Sequence, residues 1–319
     1  DNWASRGLGD VYKRQANPSL MKIGNALVEN KDVWSFEFIL NGPTIEILSS
    51  STSISITGNV DFHLIRSGKK EIGRCYRTYI LKEKDQIIIN RTIDSVYGYI
   101  SFSGIIDLDK VFESLSCNPR SKIGPRDGQK IRENEIFEIS SSITDQEFKL
   151  DRIPENKNKN KVRLLEGPQF HFFENKSVKR FFNTPYEITT TSDKMGMRLM
   201  GCKIENQLTA NIKSEAIIKG AIQVPADGQP IILLTDHQTI GGYPKIAVVA
   251  SADFENLIQL PPKSKIEFKK INLREAKISY MLKQETIKNI NVLRKKLTKY
   301  INKMNAAKKR KVKWVNKLF

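Results

Sequence analysis

The apolar runs of this chain are strand-sized. They include Ile231-Ile232-Leu233-Leu234 and Ile246-Ala247-Val248-Val249-Ala250. A membrane-crossing helix needs about 18 or more consecutive apolar residues, and no such run occurs. Elsewhere, short stretches alternate apolar with polar and are separated by Gly, Asn, Asp and Pro, as at Asn41-Gly42-Pro43. This texture predicts many short strands joined by turns, and therefore a mainly β fold of barrel or sandwich type. Strands are expected over 35–40, 45–48, 53–57, 62–66, 76–81, 86–89 and 97–101, with a second β-rich segment from 162 to about 271. Three segments read as helix instead. Leu20, Ile23, Ala26 and Leu27 have helical spacing within 18–31. A helix over 170–182 would put Phe172, Phe173 and Phe181 on one apolar surface. From 273 onward, Ile278, Met281, Leu282, Ile287, Ile290, Leu293, Leu297, Tyr300, Ile301 and Met304 fall mostly three or four apart, with Lys and Arg between them.

The charge is unevenly placed. Lys and Arg number 53 against 35 Asp and Glu, a net +18. The segment 272–319 holds fifteen of the basic residues and only Glu275 and Glu285 as acids, so thirteen of the eighteen net charges lie there. The body is only mildly basic. The tail reads first as a lysine-rich helix that packs one apolar stripe; binding of nucleic acid or an anionic membrane is the competing reading. Stacking aromatics are sparse in it (Tyr300, Trp314, Phe319), which argues against a dedicated RNA module. Neither nucleic acid nor a membrane is therefore expected as a partner.

Cys75, Cys117 and Cys202 are far apart and odd in number. They form neither a disulfide framework nor a CxxC site, and they suit a reducing cytoplasm. His63, His171 and His237 lack HxH or HExxH spacing, so no metal site is expected. No Gly-x-Ser-x-Gly elbow or glycine-rich Walker loop occurs. Residues 1–15 read as a non-native, adapter-like segment: Asp1 is no initiator, and the string from Arg6 to Gln15 lacks the apolar core of a signal peptide. The remaining expected organisation is a β-rich subdomain at 16–151, a polar Asn- and Lys-rich linker at 152–162, a second β-rich subdomain at 163–272, and a basic helix and tail at 273–319.

The densest polar signal lies between Ser192 and Pro244, at loop positions between apolar strands, where binding and catalysis usually sit. A small amide or urea-like substrate needs donors for its oxygens and an acceptor for its N–H. Gln223, Gln229 and Gln238 supply both. Arg198 has the fork to hold a carboxylate. Asp193, Asp227 and Asp236 are acceptors and candidate bases. Gly241 and Gly242, just beyond Thr239 and Ile240, let backbone N–H groups approach an oxyanion. Tyr243 can stack or donate. The expected catalytic set is Asp236, Gln238 and Tyr243. The expected substrate-binding set is Asp193, Arg198, Gln223, Asp227, Gln229, Thr239, Gly241 and Gly242. Several of these residues carry a plainer reading too. Asp227-Gly228-Gln229-Pro230 fits a hairpin turn, Asp193 a cap or turn, Arg198 a structural ion pair, and Gly241-Gly242 a bulge. Met195, Met197 and Met200 read as packing.

The same stretch carries a family resemblance. Gly167-Pro168-Gln169 is similar to a Gly-Pro-Gln that opens the family's second half. Residues 192–201 resemble its Ser-Asp-Arg-Met-Gly-x-Arg-Leu-x-Gly, with Lys194 in place of Arg. Residues 220–231 resemble Gly-Ala-Ile-Gln-Val-Pro-x-Asp-Gly-Gln-Pro-Ile at every fixed position. Residues 236–244 resemble Asp-Arg-Gln-Thr-Thr-Gly-Gly-Tyr-Pro, with His237 and Ile240 as departures. Looser likenesses cover 25–30, 54–58, 103–104 and 118–121. On these motifs the chain resembles, from about 16 to 285, the family of the 5-oxoprolinase C subunit, also called allophanate hydrolase subunit 2 or the biotin-dependent carboxyltransferase domain. The family's opening strand and its Gln-Asp-x-Gly-Arg loop are not found, so an N-terminal truncation is expected.

The resemblance implies a cyclophilin-like β-barrel. It also implies A and B partner subunits and an ATP-dependent opening of 5-oxo-L-proline to L-glutamate. Within the same family it equally admits carboxyl transfer from carboxybiotin, held on a partner carrier, to urea. A non-catalytic regulator of a B-type subunit is a third reading. The lack of a fused carrier or a Met-Lys attachment signal favours the first.

Overall fold

A computed structural model describes residues 15–30, 34–119, 121–141, 147–150, 159–205, 211–298 and 308–315. The adapter-like segment up to residue 14 and the linker residues 152–158 lie outside them. The chain divides into two compact units, 1–154 together with 287–319, and 155–286.

The first unit begins with helix α1 (Pro18–Leu27). Asn17 caps it, its side-chain oxygen accepting from the Leu20 amide at 3.1 Å, and Pro18 supplies a preset φ at the first turn. The expected helix over 18–31 stops early because Glu29 turns left-handed at φ 58°. Strands follow as β1 (Phe36–Ile39), β2 (Thr44–Ile47), β3 (Thr52–Thr57), β4 (Val60–Arg66), β5 (Lys69–Ile72), β6 (Thr78–Leu81), β7 (Gln86–Thr92), β8 (Tyr97–Phe102), β9 (Ile105–Ile106) and β10 (Ile136–Ser141). One sheet runs β1-β8-β3-β6. Strand β3 shows the two-residue period of a buried strand. Ile54 and Ile56 join a core cluster with Phe36, Ile45, Phe62 and Phe102, while Ser55 and Thr57 face α1. There the Ser55, Thr57 and Thr78 hydroxyls donate to the Gly24, Leu20 and Leu27 carbonyls at 2.8–2.9 Å.

The second sheet of this unit has seven strands and draws in the chain's far end. The residues Lys308–Val315 form a strand that pairs antiparallel with both β2 and β10. The sequence pattern signalled only a basic tail there. Its alternation is short and swamped by charge, and its partners lie more than 160 residues away in the chain. The stripe expected at Ile290, Leu293, Leu297, Tyr300, Ile301 and Met304 lies outside the described side chains.

The second unit is a closed seven-stranded barrel. Its elements are β11 (Lys161–Glu166), α2 (Asn175–Asn183), β12 (Tyr186–Ile188), β13 (Gly196–Met200), β14 (Glu215–Ala216), β15 (Ala221–Gln223), β16 (Ile231–Leu233), β17 (Ile240–Gly241), β18 (Lys245–Val249), α3 (Ser251–Leu257), β19 (Lys265–Lys270) and, up to Thr286, the first part of α4 (Leu273–Thr298). The terminal strand at 308–315 is thus β20. The barrel order is β11-β18-β15-β16-β13-β12-β19, closed by a parallel β11–β19 pair. Strand β11 begins inside the linker expected at 152–162. The helix expected over 170–182 splits into a 3₁₀ turn at Phe170–Phe172 and α2; of its three phenylalanines, Phe173 and Phe181 are buried.

Helix α4 opens with a reciprocal cap. The Asn272 side chain accepts from the Glu275 amide and the Glu275 carboxylate accepts from the Asn272 amide, both at 2.9 Å. Arg163 ties this helix to the barrel. It donates to the buried Asp253 through Nε at 2.9 Å and to the Ser279 hydroxyl through Nη1. Among the described residues, no helix is long and apolar enough to cross a membrane.

Candidate functional site

Strand β15 ends at Gln223 and β18 begins at Lys245. The two are partners across a register shift between Ile222 and Gln223. Proline limits both strands at this point: the Val224 amide donates to the Pro244 carbonyl at 3.0 Å, and Pro244 has no amide to return. A separate ribbon, β14 with β17, sets Glu215 opposite Gly241 and Ala216 opposite Ile240. The Ile217 amide to the Thr239 carbonyl, and the Ile212 amide to the Gly242 carbonyl, extend it.

Gly241 lets this ribbon come close. A Cβ there would stand 2.7 Å from Gln223 Nε2 and 3.3 Å from Ile217 Cδ1. Opposed residues of an antiparallel pair share a face, so Glu215 lies on the side that meets Gln223.

The Gly167-Pro168-Gln169 turn closes the cluster from another side. A Cβ on Gly167 would lie 2.2 Å from the Lys245 carbonyl oxygen, so the close approach requires glycine. Gln169 then holds Lys245 by its backbone, its Oε1 accepting from the Lys245 amide at 3.1 Å. The Gln169 Nε2 donates to Glu215 Oε1 at 2.8 Å. The Lys245 ammonium forms an ion pair with the same Glu215 oxygen.

The electrostatics are lopsided. The Lys245 side chain is 3% exposed and that of Glu215 is 42% exposed. The Lys245 ammonium, and then the Gln169 amide, hold the Glu215 carboxyl below the usual glutamate range. Gln223 is also 3% exposed, and its Nε2 has no hydrogen-bond partner among the described residues. Lys245 Nζ makes no aligned hydrogen bond with them beyond its ion-pair contact. A buried donor left unsatisfied costs about 1–3 kcal/mol. Gln223 and Lys245 are paired strand positions, and an oxygen acceptor placed at the Gln223 amide would satisfy it.

Of the residues expected from sequence, Gln223 and Gly241 belong to this cluster. Of the others, Arg198 lies on strand β13 and the rest on loops. Asp193 Oδ1 accepts from the Met195 and Gly196 amides at 2.8 and 3.0 Å, an Asx turn. Asp227 accepts from the Gln229 amide at 3.0 Å in the same way. The Gln229 side chain clamps the Gly201 backbone, accepting from its amide at 3.0 Å and donating to its carbonyl at 3.3 Å. Arg198, Gln238, Thr239 and Tyr243 are exposed; Asp236 and Gly242 are half-buried.

Three members of the cluster escaped the sequence reading as site residues. Gln169 sits in the Gly-Pro-Gln motif, which signalled it, and Lys245 follows Gly-Gly-Tyr-Pro. Glu215 carried no signal. Among the described residues no group of three or more His, Cys, Asp or Glu could hold a metal ion.

Comparison with known proteins gives a consistent picture. The family model described as carboxyltransferase domain, subdomain A and B, matches residues 16–270. The 5-oxoprolinase C subunit of Escherichia coli (strain K12) is 28% identical over 261 residues, 80% of this chain and 81% of that protein. The 5-oxoprolinase C subunit of Haemophilus influenzae is 30% identical over 258 residues, with 80% and 81% covered. Urea amidolyase of Saccharomyces cerevisiae is 23% identical over 256 residues, which are 73% of this chain but 14% of that protein. Among solved structures, the Kluyveromyces lactis urea amidolyase superposes with a TM-score of 0.76 at 22% identity, over 86% of this chain and 18% of that one. The urea carboxylase of the same organism gives 0.75 at 21% identity, over 89% and 27%. This chain therefore spans a small part of the urea-processing proteins and most of the two 5-oxoprolinase proteins.

Proposed function

The chain belongs to the carboxyltransferase domain family, subdomain A and B, and we propose that within it the chain serves as the C subunit of an ATP-dependent 5-oxoprolinase. In this reading it acts with A- and B-type subunits to open 5-oxo-L-proline to L-glutamate. The observation that carries the reading is coverage. The match takes in four-fifths of both this chain and the free-standing 5-oxoprolinase proteins. The cluster at Gln223 and Lys245 supports it chemically, because N–H donors beside a carboxylate suit a small ring that carries an amide and an acid.

In the second unit, the described α-helix N-termini do not fit a triphosphate. Glu174 precedes α2, Asp253 stands in the first turn of α3 and Glu275 in that of α4; each acid opposes an anion at that place. ATP accordingly falls to the partner subunits in this proposal, and no step on this chain is routed through it.

The test is reconstitution. The chain, co-expressed with its A- and B-type neighbours, is expected to release glutamate from 5-oxo-L-proline with ATP, and to lose this turnover when the chain is omitted. No turnover from an assembled complex would overturn the reading. Carboxyl transfer from a partner's carboxybiotin to urea would then come forward, since the fold is shared with urea carboxylase. Regulation of a B-type subunit would follow it.

A further inference from the structure

We propose that Lys245 and Gln223 form a carboxylate subsite, and that the Glu215 side chain is its built-in occupant, displaced when a ligand carboxylate arrives. Three observations converge. First, the cation is buried and its partner is not: Lys245 is 3% exposed, Glu215 42%. A buried ammonium is poorly solvated and draws an anion to it, so in the empty site one comes from the chain itself. The member able to leave is the half-exposed one, carried on a ribbon of two paired residues a side.

Second, the arrangement has more donors than its occupant uses. Glu215 Oε1 takes both the Lys245 ammonium and the Gln169 amide. Gln223 Nε2 meets no acceptor among the described residues. A complete structural ion pair would leave no such orphan. A carboxylate presents two oxygens and about four lone-pair sites, enough to bridge Lys245 and Gln223.

Third, the frame behind the subsite is rigid. Gly167 and Gln169 hold the Lys245 backbone by close packing and by hydrogen bonds in both directions, Gln169 N donating to Lys245 O at 3.3 Å and Lys245 N to Gln169 Oε1 at 3.1 Å. The donors are fixed, so the anion is the part that exchanges. Glu215 acts as a competitor that lowers apparent affinity in proportion to its occupancy.

The inference rests on the reading above for the identity of the ligand, a cyclic amide bearing a carboxylate. Its test is direct binding to the full chain, by calorimetry, of 5-oxo-L-proline and of 2-pyrrolidinone, the same ring without the acid. Binding of the first well above the second is expected. Lys245→Met is expected to abolish that preference, and Gln223→Met to weaken 5-oxo-L-proline by about tenfold. Glu215→Gln, by removing the competitor, is expected to tighten it several-fold. Circular dichroism and melting establish that each variant folds; should Lys245→Met not fold, Glu215→Gln carries the test.

Equal binding of the two rings, or weaker binding in Glu215→Gln, would overturn the proposal. So would the absence of 5-oxo-L-proline binding to the folded chain. A complex that fails to release glutamate while these binding effects persist would overturn the 5-oxoprolinase reading and leave the subsite standing. Turnover that survives Lys245→Met would do the reverse.

Discussion

Two places in this protein bury polar side chains in opposite ways. In the first, helix α1 lies on a sheet face of hydroxyls. The Ser55, Thr57 and Thr78 hydroxyls each find a helix carbonyl, Ser35 and Ser101 share a hydrogen bond at 2.7 Å, and Asn25 reaches both the Met21 carbonyl and Ser35. In the second, Gln223 Nε2 is buried without a partner among the described residues, and Lys245 leans on a half-exposed glutamate. Satisfied polar burial fixes one packing arrangement and has no further task. Unsatisfied polar burial costs stability and calls for an explanation, which at Gln223 is the ligand proposed above.

The largest effect expected from this contrast is on activity. Lys245→Met in the assembled enzyme should lower turnover by about a hundredfold, the scale of losing one preorganised donor to a substrate oxygen. Its melting temperature should change little, because the Glu215 carboxylate left behind is half-exposed and water takes up its charge. Steady-state kinetics beside a melting curve tests this. A large loss of stability with activity per folded molecule preserved would make Lys245 architectural, like the hydroxyls of the first unit.

Next comes the mirror experiment. A Cβ at Gly24 would stand 2.5 Å from Ser101 Oγ and 3.4 Å from Ser55 Oγ. Gly24→Ala should therefore destabilise the chain by about 2 kcal/mol through overpacking, and leave activity per folded molecule unchanged. Adding Ser101→Ala should recover part of that loss, since the two side chains contend for one space. Chemical denaturation of the three variants reads the coupling.

Smaller again is Gly241→Ala, whose new methyl would press on Gln223 Nε2 at 2.7 Å. The amide is the end of a side chain and can shift, so a stability cost of about 1 kcal/mol is expected. Turnover should fall more than that number suggests, because the displaced group is the unsatisfied donor. Equal loss in Gly241→Ala and in a Gly242→Ala control would deny Gly241 this special place.

The same contrast explains what the sequence let one read. Alternation is local, so β3 was visible from Ser53 to Thr57 and the mainly β class with it. The unsatisfied cluster is not local. Lys245 is one of 53 basic residues, and nothing in its neighbours says that it is buried. Its burial depends on Gly167 and Gln169, the latter 76 residues away. Glu215 sits on a strand of two residues, too short for any periodicity. Gln223 was legible as an amide able to donate and accept, though its lack of a partner was not. Asp193 and Gln229 show the converse. Their residue types suit a site and a turn equally, and only the structure shows the Asp193 carboxylate and the Gln229 amide turned onto backbone groups. Charge hid β20 in the same way that it hid Lys245.

Acid separates the two kinds of burial most finely. The glutamate reference value is 4.5, and Lys245 with Gln169 lowers that of Glu215 in the folded chain. A lowered folded pKa means that the pair's stabilisation is complete above the unfolded value and is lost as pH falls through the lowered one. The stability gap between wild type and Glu215→Gln should thus be open at neutral pH and close in acid. Glu215 is half-exposed, so the gap should be no more than about 1 kcal/mol. The hydroxyl-to-carbonyl bonds that hold α1 contain no ionisable group. The gap between wild type and Gly24→Ala should accordingly stay constant over the same range. Melting curves of the three proteins, taken in matched buffers from neutral pH to below 4, read both gaps at once. If the two gaps close together, the acid response belongs to the whole chain and Glu215 has no titration of its own in the stability. If only the first closes, the Glu215 carboxylate on Lys245 carries a charge-dependent share of the stability that the hydroxyl contacts lack.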